Sequence, residues 1–199
     1  MKDKLKDYRS KRDFDKTSEP SGGGSGKSGR HFVIQKHAAS SLHYDFRLEF
    51  GGVLVSWAVP KGLSTDPGDK RLAIQTENHP RDYLDFEGVI PEGEYGAGTV
   101  LVWDTGTYRN LRARKGPNSQ SMENSLDEGF IEVFLEGEKL RGGYALKRTQ
   151  GGKKPHWLII KIDDEYADAR RNPTSTQPDS VKSGRDLNAI AEEEADNHE

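Results

Sequence analysis

The amino-acid sequence predicts an all-β protein, a compact antiparallel β-barrel of about eight strands with flexible polar termini. Short runs rich in Val, Ile, Phe, Tyr and Trp alternate with Gly, Pro and Asp turn signals between Phe32 and Ile162. No helical repeat of apolar residues separates these runs, so the strands are expected to connect directly, as they do in antiparallel barrels and sandwiches. A segment of this size can bury a single hydrophobic core.

Eight strands are predicted in chain order. The strongest two are Leu42–Phe50 and Val53–Val59, because alternating apolar patterns flank Gly51-Gly52, a dipeptide typical of a tight hairpin. The same composition predicts the other six strands, at residues 31–36, 71–77, 99–104, 130–135, 143–148 and 157–162.

Three further segments do not have a strand pattern. Residues 111–129 are predicted to be a polar surface loop between two strands. Residues 93–98 are rich in glycine but lack the Lys-Ser/Thr ending of a phosphate-binding loop, which favours a tight turn. The one helical pattern covers 186–195, and it indicates either a marginal helix or a disordered segment.

Charge divides the chain into three parts: residues 1–30, 31–162 and 163–199. The first is a leader with a Gly/Ser linker and has nine basic against five acidic residues, whereas the middle part, the barrel domain, is neutral. The last is an acidic tail with eleven acidic against four basic residues, and it is expected to be disordered. A basic leader can assist nucleic-acid binding through phosphate contacts or simply increase solubility.

The composition excludes several classes of protein. The chain has no cysteine, which rules out disulfide scaffolds, thiolate zinc sites and a cysteine nucleophile. No apolar run approaches the roughly 20 residues that a membrane helix needs, and the N-terminus lacks the apolar region of a signal peptide. We therefore expect a soluble, cytoplasmic and monomeric protein.

The strand Leu42–Phe50 carries the most informative pattern, because successive side chains of a strand point to opposite faces. One face belongs to the core and is apolar, with Leu42, Tyr44, Phe46, Leu48 and Phe50. The other face is polar, with His43, Asp45, Arg47 and Glu49. An imidazole, a carboxylate and a guanidinium therefore follow one another on this face at intervals of about 7 Å.

His43 and Asp45 can bind one divalent metal ion, since imidazole and carboxylate are common ligands of Mn, Fe and Zn. His37 is the third candidate ligand, because the short link 38–41 can fold the preceding strand back beside His43. Such a set leaves positions open for water and a substrate oxygen. The alternative is a solvated polar face, on which one histidine is commonplace, but four of the six histidines fall within 49 residues.

Four residues are candidates for binding phosphate. Arg47 suits two-point binding of a phosphate, although an ion pair with Glu49 would also explain it. His79 follows a predicted strand and precedes a proline, which indicates a loop at the end of a strand. In such a loop it would serve as a phosphate contact, as a general acid or only as a turn residue. Lys61 and Arg71 either face the phosphate or are solvated charges.

Several motifs are similar to the 3′-phosphoesterase domain of bacterial DNA ligase D. The resemblance covers about residues 5–162 and rests on long, specific motifs: YRSKRDF (8–14), HAA (37–39), LHYDFRLE (42–49), SWAVPKG (56–62), HP at 79–80 up to Tyr83, and FEGVIPEGEYG (86–96). It implies a compact β-barrel and a Mn²⁺-dependent activity, with Zn²⁺ or Co²⁺ as alternatives. The implied substrates are DNA 3′ ends in non-homologous end joining. A 3′-terminal ribonucleoside is removed by phosphodiester cleavage, and the remaining 3′-phosphate is then hydrolysed to a ligatable 3′-OH.

Carried over residue by residue, the resemblance implies three groups of functional residues. The metal ligands are His37, His43 and Asp45, and the phosphate-binding pair is Arg47 and His79. Supporting positions that line the site are Ser56, Lys61, Arg71, Glu77 and Tyr83. Leader positions that assist the diesterase step are Arg12, Asp13 and Glu19, which implies that the leader folds over the substrate.

The resemblance has one departure, since the family's ligase and polymerase domains have no counterpart here. The sequence is thus expected to be a stand-alone version or an excised domain, with a separate ligase, polymerase or end-binding protein as partner. Two other functions remain open: a DNA-end-binding module without catalysis, and a cupin-type barrel that uses Fe for oxidation. The surrounding arginines suit a phosphate and therefore disfavour the cupin-type barrel. The metal-ligand set disfavours the end-binding module, because binding alone does not need a metal site.

Overall fold

The computed structural model describes residues 3–23, 29–113 and 116–196. Within these ranges the elements follow one another as α1 Lys6–Ser10, β1 His31–Ala38, β2 Leu42–Phe50, β3 Val53–Val59, β4 Lys70–Gln75, a 3₁₀ helix Arg81–Asp85, β5 Gly88–Ile90, β6 Gly98–Asn110, α2 Met122–Glu128, β7 Phe130–Gly137, β8 Arg141–Gln150, β9 His156–Lys161, α3 Pro173–Thr176 and α4 Leu187–Asp196. None of these described helices combines the length and apolar character needed to cross a lipid bilayer.

Eight strands form a closed antiparallel barrel in the order β1-β2-β3-β4-β9-β8-β7-β6, which closes because β6 pairs with β1. The closing strand β6 is 13 residues long. It pairs with β1 over most of its length, with β7 near its end, and with the short β5 at its start. The all-β barrel predicted from the sequence is therefore confirmed.

The hairpin between β2 and β3 forms where the sequence predicts it. Both strands have the predicted bounds, and the two residues between them, Gly51 and Gly52, have φ values of 62° and 82°. Only glycine adopts such left-handed values without a steric penalty, which is why this dipeptide can turn the chain so tightly. The hairpin fixes the register of β2, and with it the face on which each side chain of β2 lies.

The barrel interior is filled by the apolar face of each strand. Trp57, Trp103 and Trp157 are fully buried there, and the even-numbered residues of β2 from Tyr44 onwards join them, whereas Leu42 is exposed at the strand's start. The odd-numbered residues of β2 therefore point to the outside of the barrel.

The leader folds onto that outside face, so the prediction of a flexible N-terminus is wrong for residues 3–23. Tyr8 of α1 is fully buried in a second apolar cluster with Leu54, Tyr83 and Phe86, and its hydroxyl donates to the carbonyl of Pro20 at 2.7 Å. The burial of this aromatic ring offsets part of the conformational entropy lost by a polar segment. The linker residues 24–28 lie outside the described residues.

The acidic tail is also ordered as far as Asp196, which contradicts the prediction of disorder for 163–199 over its described part. The indole N–H of Trp103 donates to the carbonyl of Gln177 at 2.8 Å, and Ile190 of α4 joins the core cluster with 1% exposure. The few apolar residues of the tail suffice because the barrel already offers them an apolar surface. The helical pattern predicted at 186–195 corresponds to α4.

The predicted surface loop 111–129 contains the helix α2. The hydroxyl of Ser121 accepts a hydrogen bond from the backbone N–H of Asn124, and Gly129 ends the helix with a φ of 78°. These are ordinary N-cap and C-cap signals, and Met122 on the inner side of the helix is buried. The sequence-based expectation therefore missed a helix that its own capping residues indicate.

Candidate metal and phosphate site

A cleft of about 420 Å³ opens on the outer face of β1 and β2. The leader, the segment 76–83 and the loop before β6 form its walls, and its polar lining includes Arg12, His37, His43, Asp45, Arg47, Glu77 and His79. This face is not solvated: Asp45 is 7% exposed and Arg47 2% exposed. Burial of two charged groups in one cleft excludes the interpretation of a plain solvent-facing strand.

The hairpin of β1 and β2 places His37 directly opposite His43, as predicted from the short link between them. The centres of the two imidazole rings are 4.7 Å apart, and Asp45 follows on the same face. One ligand atom from each of the three residues lies within 4.8 Å of the other two. These three residues can therefore hold a single metal ion, since all are established metal ligands.

The second ring nitrogen of each histidine explains how the rings are oriented. His37 Nε2 lies 2.8 Å from the carbonyl of Gly96, and His43 Nδ1 lies 3.0 Å from the carbonyl of Ser41. Because a carbonyl oxygen only accepts, these nitrogens carry the hydrogens. An imidazole that binds a metal has its lone pair on the other nitrogen, so this orientation is the usual one for metal-binding histidines.

The lone-pair nitrogens face the carboxylate of Asp45. His37 Nδ1 lies 3.5 Å from Asp45 Oδ2, and His43 Nε2 lies 3.7 Å from Asp45 Oδ1. Lone pairs directed at a carboxylate repel it unless a cation lies between them, so this donor set fits a divalent metal ion. Burial opposes the charge on Asp45, but the guanidinium of Arg47 holds the pKa of that carboxyl well below its usual range.

Arg47 has one nitrogen without a partner. Its Nε donates to Gln35 Oε1 at 2.7 Å and its Nη2 to Asp45 Oδ2 at 3.2 Å. Its Nη1 is buried and has no hydrogen-bond partner among the described residues. A buried donor without a partner is costly, so this nitrogen points to an acceptor that binds from outside, such as a phosphate oxygen.

Gln35 was not identified from the sequence. It is fully buried, and its amide also donates to the carbonyls of Tyr83 and Phe86, each at 3.0 Å. It therefore fixes Arg47 to the far wall of the cleft. The available signal was its place two residues before His37, which puts both side chains on one face of β1.

His79 is held at the bottom of the cleft by its own backbone. Its N–H and C=O pair with those of Leu54 in β3, and its Nδ1 bonds the carbonyl of Glu77 at 3.0 Å. The hydrogen therefore lies on Nδ1, and Nε2 accepts from Arg12 Nη2 at 3.4 Å. Burial, followed by the charges of Arg47 and Arg12, holds the pKa of His79 well below its usual range.

Two leader residues take part in the same network. Arg12 Nε binds Glu19 Oε1 at 2.9 Å and Arg12 Nη1 binds Glu77 Oε1 at 3.2 Å, while the hydroxyl of Tyr83 also donates to Glu19 Oε1 at 2.8 Å. Glu19 thus orients both Arg12 and Tyr83. The leader is part of the cleft, as the resemblance implied, and Tyr8, which no sequence signal indicated, stacks under Arg12 at 3.9 Å.

Four expected site residues lie elsewhere. Ser56 is behind the cleft, where its buried hydroxyl is 3.4 Å from His79 Nδ1. The other three are not among the residues that line the cleft: Asp13 pairs with Lys16 at the surface, Arg71 pairs with Asp69, and Lys61 is exposed beyond the end of β3. Their supporting roles remain predictions.

Fold and site together define a class: a small antiparallel β-barrel with a two-histidine, one-carboxylate set on its outer face and buried cations beside it. The family model described as the DNA Ligase D 3′-phosphoesterase domain matches residues 35–148. The chain belongs to this family, and the match confirms the resemblance found in the sequence.

Three relatives are similar to this chain over most of its length. The "Multifunctional non-homologous end joining protein LigD" of Pseudomonas aeruginosa is 47% identical over 189 residues, which are 92% of this chain and 22% of the relative. The LigD of Mycolicibacterium smegmatis is 47% identical over 165 residues, 82% of this chain and 21% of the relative. The "Multifunctional non-homologous end joining DNA repair protein LigD" of Mycobacterium tuberculosis is 45% identical over 165 residues, 82% of this chain and 20% of the relative. The chain thus spans about a fifth of the length of these relatives.

Proposed function

We propose that this protein is a metal-dependent phosphoesterase that processes the 3′ ends of DNA during repair by non-homologous end joining. The observation that carries the proposal is the unpartnered Nη1 of Arg47 beside the ligand set of His37, His43 and Asp45. A metal site and a buried free guanidinium donor next to it suit a substrate with an anionic phosphate. The family and its end-joining relatives support the choice of DNA ends.

His37, His43 and Asp45 would hold the metal ion through Nδ1, Nε2 and a carboxylate oxygen. Nitrogen and oxygen ligands of this kind accept Mn²⁺, with Zn²⁺ and Co²⁺ as alternatives. A divalent ion held there would supply Lewis-acid chemistry for phosphate hydrolysis. Gly96 and Ser41 keep both imidazoles in the ligating orientation through their carbonyls.

Arg47 would bind a non-bridging phosphate oxygen through Nη1. Gln35 and Asp45 hold the rest of the guanidinium, so this donor is in place before the substrate arrives. Fixed donors of this kind stabilise the charge that develops on the phosphate oxygens in the transition state.

His79 would act at the bottom of the cleft, where its Nδ1 is held by the carbonyl of Glu77 and its Nε2 can exchange Arg12 for a substrate oxygen. It is neutral in the empty cleft because its pKa is lowered. An anionic phosphate beside it favours the protonated imidazole, which then donates from Nε2 either to a phosphate oxygen or to the leaving oxygen. Both roles place the proton on the same atom.

The proposed reaction has two hydrolytic steps. In the first, water attacks phosphorus, the bond to the 5′ oxygen of a terminal ribonucleoside breaks, and that oxygen takes up a proton. In the second, water attacks the 3′-phosphate, the bond to the 3′ oxygen breaks, and inorganic phosphate leaves a ligatable 3′-OH. Arg12 and Glu19 would assist the first step by closing the leader side of the cleft.

The proposal includes the partners and the cellular setting. The substrate is a primer-template that ends in a 3′ ribonucleotide or a 3′-phosphate, and a separate ligase, polymerase or end-binding protein completes the repair. The protein would act in the cytoplasm, as a monomer.

The test is 3′-end trimming with and without metal. Purified protein is incubated with primer-templates ending in a ribonucleotide or a phosphate, with Mn²⁺, Co²⁺, Zn²⁺ or a chelator. We expect metal-dependent conversion to a 3′-OH. Replacement His43→Ala or Asp45→Asn is expected to abolish both steps and to remove Mn²⁺ binding in calorimetry, because the first variant lacks a ligand and the second lacks the carboxylate charge.

The matched control is Asp163→Asn, which changes an exposed carboxylate outside the cleft. It should trim ends and bind metal as the wild type does. Binding of DNA without trimming under any of these metals would contradict the proposed catalysis and favour an end-binding module. Trimming by Asp45→Asn at a near-normal rate would contradict the metal assignment.

A further inference from the structure

A groove continues from the cleft along the outside of the barrel. It has a volume of about 780 Å³ and runs between α1, β4 and the turn that connects β8 to β9. Five residues line both the groove and the cleft: Ala58, Thr76, Glu77, Tyr95 and Lys154. The two spaces are therefore continuous, and a chain-like ligand with its end in the cleft can extend along the groove.

The floor of the groove is suited to flat, partly apolar groups. Ala58, Ile74 and Pro155 are only half-buried and give it an apolar surface. Tyr95 lies at the junction with the cleft and is 46% exposed, one of few large hydrophobic side chains so exposed among the described residues. An exposed aromatic ring beside a phosphate-binding cleft is a typical stacking platform for a nucleobase.

The rim of the groove carries positive charge. Lys153 and Lys154 are exposed at the turn between β8 and β9 and form no ion pair within the described chain. Lys11 stands 4.6 Å above the ring of Tyr95, and its ammonium contacts Glu77 at 3.0 Å. Arg12 also forms an ion pair with Glu77 and further neutralises its charge. Asp7 is then the acidic residue of the groove lining that opposes the positive charge of the rim.

We propose that this groove binds the nucleotides that precede the 3′ end of the DNA strand when they are unpaired from the template. Tyr95 stacks on a base next to the end, and Lys153 and Lys154 contact backbone phosphates further along the strand. The apolar floor accommodates the sugars. The proposal rests on the proposed function for the kind of ligand, but it concerns binding along the strand, which is measurable without turnover.

The test uses binding in the presence of a chelator, so that it does not depend on catalysis. A fluorescently labelled single strand of about 12 nucleotides, a length within the range that such grooves bind, is titrated with the full chain in fluorescence anisotropy. Lys153→Ala/Lys154→Ala is expected to bind roughly tenfold more weakly at low salt. The slope of log affinity against log salt should fall in magnitude by about 1.4, because two phosphate contacts to a single strand are lost.

Tyr95 is tested with a strand that carries 2-aminopurine next to its 3′ end. Stacking on the tyrosine ring quenches this fluorophore, so wild type and Tyr95→Phe should quench it and Tyr95→Ala should not. Tyr95→Ala is also expected to bind at least about fivefold more weakly. The control is Lys70→Ala/Lys147→Ala, two exposed lysines outside the groove lining, which should bind like the wild type.

Each result decides the proposal. Weaker binding and a smaller salt slope for the groove variants, with normal binding by the control, support it. Equal losses in the groove and control variants, or no DNA binding by the wild type, overturn it. If DNA binds in the groove as expected but no ends are trimmed in the metal-supplemented assay, the groove stands and the proposed catalysis fails.

Discussion

At the residue scale, the three guanidinium nitrogens of Arg47 have three different environments. Two of them bind Gln35 and Asp45, and the third lacks a partner. A lysine has one ammonium in place of this planar fork, so it cannot keep both internal contacts and still offer a free donor. The function of the residue thus depends on the shape of the guanidinium as well as on its charge.

Replacing Arg47 by Lys tests that dependence. We expect kcat/KM for 3′-end trimming to fall by about 100-fold, which is the usual effect of removing one fixed transition-state donor. Binding of Mn²⁺ should persist, since the three ligands remain. Arg109→Lys, at an exposed position of β6, is the matched control. Retention of activity within about threefold in Arg47→Lys would contradict the assigned role.

The lowered pKa of His79 predicts a pH dependence of stability. Burial and then Arg47 and Arg12 lower the pKa in the folded state, so below about pH 6.5 the unfolded chain binds a proton that the folded chain does not. The free energy of unfolding should therefore decrease as the pH falls from about 7 to about 5, by at most about 1.4 kcal/mol per unit. The carboxylates of Asp45 and Glu77 have lowered pKa values and stay charged there.

Urea unfolding of wild type and His79→Gln at several pH values measures this effect. The variant lacks the titrating group, so its stability should change less across the window. Similar pH slopes in both proteins would show that His79 is not held neutral by the fold.

At the element scale, the leader acts as a wall of the cleft. One aromatic residue, Tyr8, anchors it, and the ion pair of Arg12 with Glu77 connects it to the site. A diester has an additional nucleoside that a monoester lacks, and we expect this nucleoside to lie on the leader side of the cleft. Arg12→Ala is thus expected to slow removal of a ribonucleoside more than removal of a 3′-phosphate.

The comparison requires both substrates with the same protein preparations. Lys6→Ala is the control, because Lys6 is an exposed leader residue outside the lining of the cleft. An equal loss on both substrates by Arg12→Ala would argue that Arg12 serves the phosphate pocket in general, through His79 and Glu77.

The order of these elements explains which parts of the site are predictable. His43, Asp45 and Arg47 share one strand face, so alternation alone brings them together, and a short hairpin adds His37. His79 and Arg12 reach the cleft through tertiary contacts, with Leu54 and Glu77 respectively, which leave no local pattern. Their place was available only from family resemblance. The sequence did not predict the burial of Asp45 and Arg47. The leader that covers them is a polar segment, and nothing in its composition indicates that it packs on the barrel.

At the scale of the whole molecule, the acidic tail is part of the folded barrel domain. Ile190 is buried against the core that the strands form, so its replacement by Ala should lower the free energy of unfolding by about 2–4 kcal/mol. Denaturant unfolding measures the change, and Glu192→Ala, an exposed change in the same helix, should have little effect. A loss below about 0.5 kcal/mol in Ile190→Ala would mean that the tail is detached in solution.

The overall fold was predictable to the extent that it depends on local alternation. The bounds of β2 and β3 agree with the prediction, but β6 extends to Asn110, past its apolar part. There the pairing with β7 selects the extended conformation, and the polar sequence gives no sign of it. β5 has three residues, too few for a periodic pattern, and forms because β6 offers it a partner. The tail and leader depend on burial against surfaces that only the closed barrel creates.

Closure of the barrel also affects how copies of this protein behave when crowded together. In an open sheet, the outer strands expose backbone groups that can pair with another molecule and start edge-to-edge aggregation. Here each of the eight strands of the barrel pairs with a barrel strand on both of its sides. The one additional strand, β5, has only three residues, and α4 packs against it. The described part of the chain therefore offers little backbone to a neighbour, which favours a protein that stays dispersed at high concentration.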